Sequence, residues 1–476
     1  VKRIVLTGAT GYIGKRLLPL LVSKGYKVIC IVRDKNRFSP PPSLNRFVEI
    51  VEGDLLNPVS LLAIPDDIDG AYYLVHSMSA STGYADMEKQ SAINFREAMN
   101  ARSLKHLIYL GGIANEEKLS DHLASRLAVE NELAKGSYHL TALRAGIIIG
   151  SGSASYEIIR DLVEKLPVMV APKWLNTRCQ PIAVSDVLKF LSLTMFNKET
   201  YDRNFDIGGP EILTYKEMLL GYARVRKVKR YICTVPLMTP RLSSYWLYFI
   251  TSTSYKLAVS LVDSMKVEVV CRDNSLAGIV DLSTTGYSES VQQTLSEIED
   301  NHVVSSWKDA MISSNPGFRL SDFINVPVNG CFTDKRSFTI DNREEVIERL
   351  WAIGGETGWY YATFLWRIRG FMDKLSGGVG LRRGRTDRYN IGAGDTLDFW
   401  RVIYANRAEG RLLLYAEMKL PGEGWLEFRI DNSTLHQKAT FRPRGIAGRL
   451  YWYSVYPLHG LVFGGMIKRI ALGAST

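Results

Sequence analysis

Three glycines, Gly8, Gly11 and Gly14, stand between a short apolar run, Ile4-Val5-Leu6, and leucines at helical spacing, Leu17, Leu18, Leu20 and Leu21. The order is strand, phosphate loop, helix. The first glycine permits a tight turn, the second lets the backbone approach a pyrophosphate, and the third lets the helix pack closely on the strand. Thr10, Tyr12 and Ile13 complete the loop and the first helical turn. The N–H groups of that turn meet an anion at the positive end of the helix dipole. The chemistry on offer is the holding of a dinucleotide. A second apolar strand, Tyr26 to Val32, ends at Arg33-Asp34. A basic residue at that tip pairs with a 2′-phosphate, and an acidic one holds the 2′-hydroxyl of NAD. Arg33 comes first and favours NADP(H); Asp34 keeps NAD(H) as the alternative.

The elements that must position this loop follow in order. Gly53-Asp54-Leu55 closes a third strand, and Ala71 to Val75 form a fourth that ends at His76 and Ser77. That end is the edge at which open parallel sheets bind ligands. Tyr84 lies just beyond a Ser/Gly-rich loop that can cover a bound ring, and it is a further candidate for the catalytic set, with an ordinary surface residue as the alternative. A fifth strand, from His106, ends Leu110-Gly111-Gly112. Together with Leu143 to Gly150, Gln180 to Val187 and Phe205 to Pro210, these blocks resemble the extended and atypical short-chain dehydrogenase/reductases, in particular their NmrA-like and nucleotide-sugar-epimerase-like branches. The resemblance spans about the first 215 residues. It implies a doubly wound parallel α/β sheet, with Asp54 and Leu55 beside the adenine, and His76, Ser77 and Gly111 along the floor under the cofactor.

The same resemblance implies a catalytic set that is not here. Redox members place Ser or Thr after the fifth strand and Tyr-x-x-x-Lys on the next helix. This chain has Gly111-Gly112 at the strand end, and His122 and Arg126 at the tyrosine and lysine positions. Arginine is no proton relay at ordinary pH, although it can bind ribose hydroxyls or an anion. Histidine can serve as a general acid. The plain alternative makes both of them polar residues on a part-exposed helix. Arg144 belongs to a block on the substrate side, and a structural ion pair accounts for it equally well.

The remaining composition narrows the field. A chain of 476 residues with 46% hydrophobic content can bury two or three cores. Five scattered cysteines form no metal-ligand or disulfide pattern and suit a reducing cytoplasm. The first strand begins at once, which leaves no room for a signal peptide within this sequence. The basic run Arg224 to Arg230 has no aromatic platform beside it, so nucleic acid is not an expected partner. Tyr245 to Val262 is too polar to span a bilayer. Leu450 to Ile467 carries Pro457 and His459 and ends at Lys468-Arg469, and it reads better as a buried helix packed on a sheet. Peripheral membrane contact stays open, as does the oligomeric state.

Residues 1–215 are thus read as the dinucleotide-binding domain and 216–325 as a small helical substrate subdomain with connecting helices. Residues 326–476 form a third unit, with 22 lysines and arginines against 15 aspartates and glutamates in a chain whose net charge is +10. There, a strand from Phe332, a helix from Arg343, four strands between Asp398 and Phe441 and a closing helix suggest an α+β helix-grip fold. This unit resembles the START/polyketide-cyclase superfamily. Its blocks Trp366 to Gly370, 377–385, Asp398 to Val402 and Ala416 to Gly422 resemble an uncharacterised family fused behind such Rossmann domains. The expected partner is a small, apolar molecule. Three functions follow: an NADP(H)-dependent oxidoreductase, a non-catalytic NADP(H) sensor or assembly factor, or a nucleotide-sugar epimerase or dehydratase. The missing tyrosine disfavours the last.

Overall fold

The computed structural model describes residues 1–35, 38, 40, 42–75, 84–114, 121–235, 259, 262–299, 326, 331–355, 357–375, 391–393 and 395–473. His76, Ser77, residues 377–385 and nearly all of 245–262 lie outside that set. The chain divides into two compact units, Val1–Pro316 and Gly317–Thr476.

In the first unit, β1 (Arg3–Thr7), α1 (Tyr12–Ser23), β2 (Lys27–Val32), β3 (Val48–Glu52) and β4 (Gly70–Tyr73) come first. Next are α2 (Tyr84–Asn100), β5 (His106–Gly112), α3 (Asp121–Leu133) and β6 (His139–Ala145). The short β7 (Ile148–Ile149), α4 (Ala154–Lys165), β8 (Val168–Pro172), β9 (Arg178–Cys179), β10 (Ile182–Ala183), α5 (Val184–Thr194) and β11 (Arg203–Ile207) follow. The main sheet has seven parallel strands in the order β11-β6-β5-β4-β1-β2-β3. This is the doubly wound Rossmann arrangement, and its strand order reverses between β1 and β4.

Alternation along the strands builds two cores. Ile4 and Leu6 face one layer with Leu17, Leu18, Val187 and Leu191, whereas Val5 faces the other with Phe95, Met99 and Leu133. Strands covered on both faces read as continuous apolar runs, as β1 and β2 do. Beyond the sheet, β12 (Leu213–Thr214) leads into α6 (Tyr215–Val225). Thr214 caps α6 in a reciprocal box with Glu217, whose carboxylate accepts from the Thr214 N–H at 2.7 Å. β13 (Tyr231–Val235) then pairs parallel with β8, and α7 (Ser275–Ile279) and α8 (Tyr287–Glu299) follow among the described residues.

The second unit holds β14 (Phe332–Thr339), α9 (Arg343–Trp351), α10 (Thr363–Leu375), β15 (Thr396–Leu397), β16 (Trp400–Asn406), β17 (Arg411–Ala416), β18 (Gly422–Asp431), β19 (Thr434–Pro443) and α11 (Gly445–Leu472). Its six strands pair antiparallel in the order β14-β19-β18-β17-β16-β15. Val346, Leu350, Trp359, Phe399, Leu412, Phe428 and Met466 fill the core between sheet and helices. α11 runs unbroken through Pro457. A proline removes one N–H from the ladder. Its neighbours Tyr453, Tyr456 and Leu458 are exposed, so water can meet the carbonyl left over. Among the described residues, no helix is long and apolar enough to cross a membrane.

Candidate functional site

Close backbone contacts shape the turn of the loop after β1. Gly8 has φ +71°, and the Gly11 N–H donates to the Gly8 carbonyl at 2.8 Å. A Cβ at Gly14 would sit 2.2 Å from the Gly8 carbonyl oxygen, so the helix rests directly on the loop. Thr7 fastens the loop to β4: its hydroxyl donates to the Tyr72 carbonyl at 3.0 Å and accepts from the Leu74 N–H at 3.1 Å. Gly11 caps α1 without a side-chain bond, and no acidic residue stands in the first turn. Those N–H groups therefore face the cleft with no carboxylate competing for them. This is a cradle shaped for a pyrophosphate.

The cleft above the loop measures about 360 Å³. Gly8, Thr10, Gly11, Tyr12, Ile13, Gly14, Arg33, Asp54, Leu55, Gly111 and Arg126 all line it. Arg33 is half-buried there, while the neighbouring Asp34 is only 3% exposed. The turn bearing Asp54 is fixed from two sides. Asp54 Oδ1 accepts from the Leu56 N–H at 3.0 Å, and the Asn94 amide on α2 donates to the Leu55 carbonyl at 2.7 Å. Tyr84 opens α2, half-buried, and is not among the described residues of the wall. His122 lies in the first turn of α3, with its side chain outside the described residues. Arg144 on β6 forms a two-point pair with Glu130 at 3.0 and 2.6 Å. That geometry gives it a structural role.

Arg126 enters the cleft from α3. Its Nε is buried and has no hydrogen-bond partner among the described residues. Burial lowers its pKa, opposed by the nearby Tyr109 and Glu88. Tyr109 also donates to the Arg126 carbonyl at 3.1 Å, which anchors that turn of α3 on β5. A Cβ at Gly112 would lie 3.1 Å from a terminal nitrogen of Arg126. The bare strand end and the arginine are therefore one arrangement: the guanidinium fills the room that a side chain at 112 would take.

Sequence reasoning missed several neighbours. Glu88 on α2 lines the cleft and accepts a hydrogen bond from the buried Ser125 hydroxyl. Arg16 lies 4.3 Å over the Tyr12 ring and donates to the Ser151 carbonyl at 2.7 Å, tying α1 to the loop before α4. Ser153, Ala154 and Ser155 add the N-terminus of α4 to the wall. The only signal in the sequence was Ser153 as a capping type; the other contacts join residues far apart in the chain. Among the described residues, no cluster of His, Cys, Asp and Glu could hold a metal ion.

Comparison with known proteins agrees with this geometry. Residues 8–161 match a family described as NAD(P)H-binding, and residues 329–466 match one described as a protein of unknown function, DUF2867. The photosystem II assembly factor Ycf39 of Trieres chinensis is 25% identical over 242 residues, covering 48% of this chain and 73% of that protein. The chloroplastic divinyl chlorophyllide a 8-vinyl-reductase of Zea mays is 21% identical over 222 residues, 44% of this chain and 55% of that protein. The chain thus spans about half the length of that reductase. A nucleoside-diphosphate-sugar epimerase structure from Staphylococcus aureus superposes with a TM-score of 0.50 at 14% identity, covering 61% of this chain and 99% of that one; this likeness speaks for the fold alone. The N-terminal unit therefore has a Rossmann fold, and its residues 8–161 are similar to an NAD(P)H-binding family.

Proposed function

We propose that the protein is an NADP(H)-dependent oxidoreductase acting on an apolar small molecule, with Arg126 and His122 in place of the usual lysine and tyrosine. The observation that carries this reading is Arg126, a cation on the wall of a cleft floored by a glycine phosphate loop. A guanidinium on such a wall offers a planar, charged set of donors to an oxygen of a bound group. NADPH, when bound, supplies the hydride. Arg126 stays charged and holds the oxygen that gains negative charge as reduction proceeds. The proton comes from a second group, and His122, one turn earlier on the same helix, stands at the right spacing. The reductase from Zea mays among the relatives favours this class; the assembly factor from Trieres chinensis favours a non-catalytic NADP(H)-binding role.

Calorimetric titration with NADPH and NADH, then a screen of quinones, aldehydes and enones for NADPH oxidation, separates the two. Tight binding with turnover supports the oxidoreductase. Tight binding without turnover on any acceptor supports the sensor or assembly role. Arg126→Met should lower turnover on the order of a hundredfold, the scale of losing one preorganised charge-stabilising donor. Unchanged turnover would remove Arg126 from the chemistry.

The cofactor preference rests on Arg33, half-buried on the cleft wall, with Asp34 buried beside it. Arg33→Asp should weaken NADPH binding at least tenfold and narrow or reverse the preference over NADH. Equal shifts in both affinities would mean that Arg33 does not read the 2′-phosphate.

A further inference from the structure

Every large apolar side chain that the described part of the C-terminal unit leaves exposed lies on α10 or α11. On α10, Phe364, Ile368, Phe371 and Leu375 are each more than half exposed, at steps of four, three and four residues. That spacing sets them along one face of a helix. Trp366, Gly370 and Asp373 form the buried side. On α11, Ile446, Leu450, Tyr453 and Leu461 are likewise more than half exposed. Steps of four, three and eight keep them in one row, with the exposed Pro457 in the gap. The other side of α11 carries Phe463, Met466 and Ile470 into the core. Trp366 lies 6.0 Å from Phe463, so the two helices are neighbours. A helix that is apolar all round ordinarily packs all round; α11 packs on one side.

The charge on these helices has one sign at the surface. α11 contains no aspartate or glutamate, and its cations Arg449, Lys468 and Arg469 are all exposed. Lys468 follows Leu461 by seven residues and continues the apolar row, and Arg449 stands beside Leu450. On α10, Arg367 is exposed, whereas the acidic Asp373 is buried and accepts from the Lys419 N–H at 2.6 Å. Among the described residues, Arg367, Arg449, Lys468 and Arg469 enter no ion pair. Apolar rows set among unpaired cations narrow the choice of what covers them. A second copy would meet this patch with the same patch, positive charge against positive charge. An anionic lipid surface suits both features. Apolar side chains enter the boundary between headgroups and acyl chains, while cations meet the negative surface potential. Tyr453 and Tyr456, both exposed, have the apolar ring and polar tip that settle at that boundary.

We propose that the outer faces of α10 and α11 dock the protein on the surface of an anionic lipid bilayer, without crossing it. The docking face belongs to the C-terminal unit alone, whatever the N-terminal cleft does with a dinucleotide.

Sedimentation with vesicles tests it. The full-length protein is mixed with vesicles of phosphatidylcholine, or with vesicles of phosphatidylcholine and phosphatidylserine at a two-to-one ratio. Binding to the mixed vesicles should be at least tenfold tighter than to phosphatidylcholine, and it should weaken as salt is raised. Phe371→Ser combined with Leu450→Ser changes two exposed positions and should lower affinity for the mixed vesicles at least tenfold. Arg449→Gln combined with Lys468→Gln should lower it at least fivefold and leave binding to phosphatidylcholine unchanged. No binding to the mixed vesicles, equal affinity for the two compositions, or unchanged binding in both double variants would overturn the proposal. So would dimerisation without vesicle binding that Phe371→Ser with Leu450→Ser abolishes, because it assigns the face to a second copy. Near-UV circular dichroism checks the fold of each variant; should one fail to fold, the wild-type ratio between the two compositions decides alone. NADPH affinity, measured on the same samples, reports separately on the dinucleotide cleft.

Discussion

Gly14→Ala should abolish measurable dinucleotide binding, with NADPH affinity falling at least a hundredfold. The added Cβ would lie 2.2 Å from the Gly8 oxygen, 2.8 Å from the Gly8 carbon and 2.9 Å from Ala9 Cα. All three are backbone atoms, so no side chain can swing aside. Either α1 lifts from the loop or the loop itself shifts, and Gly8 cannot easily move, because it holds φ +71° with its own Cβ position 2.7 Å from the Leu74 oxygen. Overpacking of this kind costs about 1–3 kcal/mol in stability. The larger effect is on binding, because the N–H groups that meet the pyrophosphate are the ones displaced; a hundredfold loss corresponds to about 2.8 kcal/mol. Gly278→Ala provides the contrast within the same unit. It lies in α7 with open space around it, so alanine should be neutral or stabilising by up to about 1 kcal/mol. Calorimetry with NADPH on both variants decides: wild-type affinity in Gly14→Ala would mean that the loop adapts, and the packing argument would be wrong.

The features legible in the sequence were the local ones. The glycine loop, the apolar runs of β1 and β2 and the cap at Thr214 each depend on neighbours within a few residues. The strands between residues 398 and 443 were legible too, because strong apolar and β-branched content marks them. Their edges were less so: β18 begins at Gly422, three residues before the apolar signal at Trp425, because pairing with β19 extends the ladder through residues with little strand preference. The closing helix was legible as well, and it runs on through Pro457 because the proline sits on an exposed face.

The site was half legible for the same reason. Residues that bind through backbone geometry announce themselves by glycine and spacing. Residues that act through side-chain packing do not. Nothing in the order of residues says that Gly112 and Arg126, fourteen positions apart, share one volume, or that Glu88 reaches Ser125 across two helices. Arginine at position 126 offers no proton relay when that position is read alone. Alongside the bare strand end, its wide planar cation occupies the room that a side chain at 112 would take.

Stability should fall as the pH drops from 6.5 toward 4, and His106 is the reason. It lies at the start of β5 and is fully buried. Its Nδ1 accepts from the Phe196 N–H at 2.9 Å, so the proton sits on Nε2, which donates to the Thr141 hydroxyl at 2.9 Å; that hydroxyl donates in turn to the Thr200 carbonyl at 2.7 Å. Every position is taken by a neutral ring. Protonation would set a second N–H against the Phe196 N–H and bury a charge beside His139, although Asp202 partly offsets it. Burial first, then His139, brings the pKa down to about 4 from 6.5. The unfolded chain therefore binds the proton more readily between those values. The contribution is complete above pH 6.5 and is lost as pH falls through 4, by about 3 kcal/mol in all. Urea unfolding of the N-terminal unit at pH 7 and 4.5 measures it. His106→Gln, which keeps an amide donor and acceptor but cannot titrate there, should cut the pH-dependent loss by half or more. An equal loss in both proteins would assign acid sensitivity to other groups and leave this histidine as packing alone.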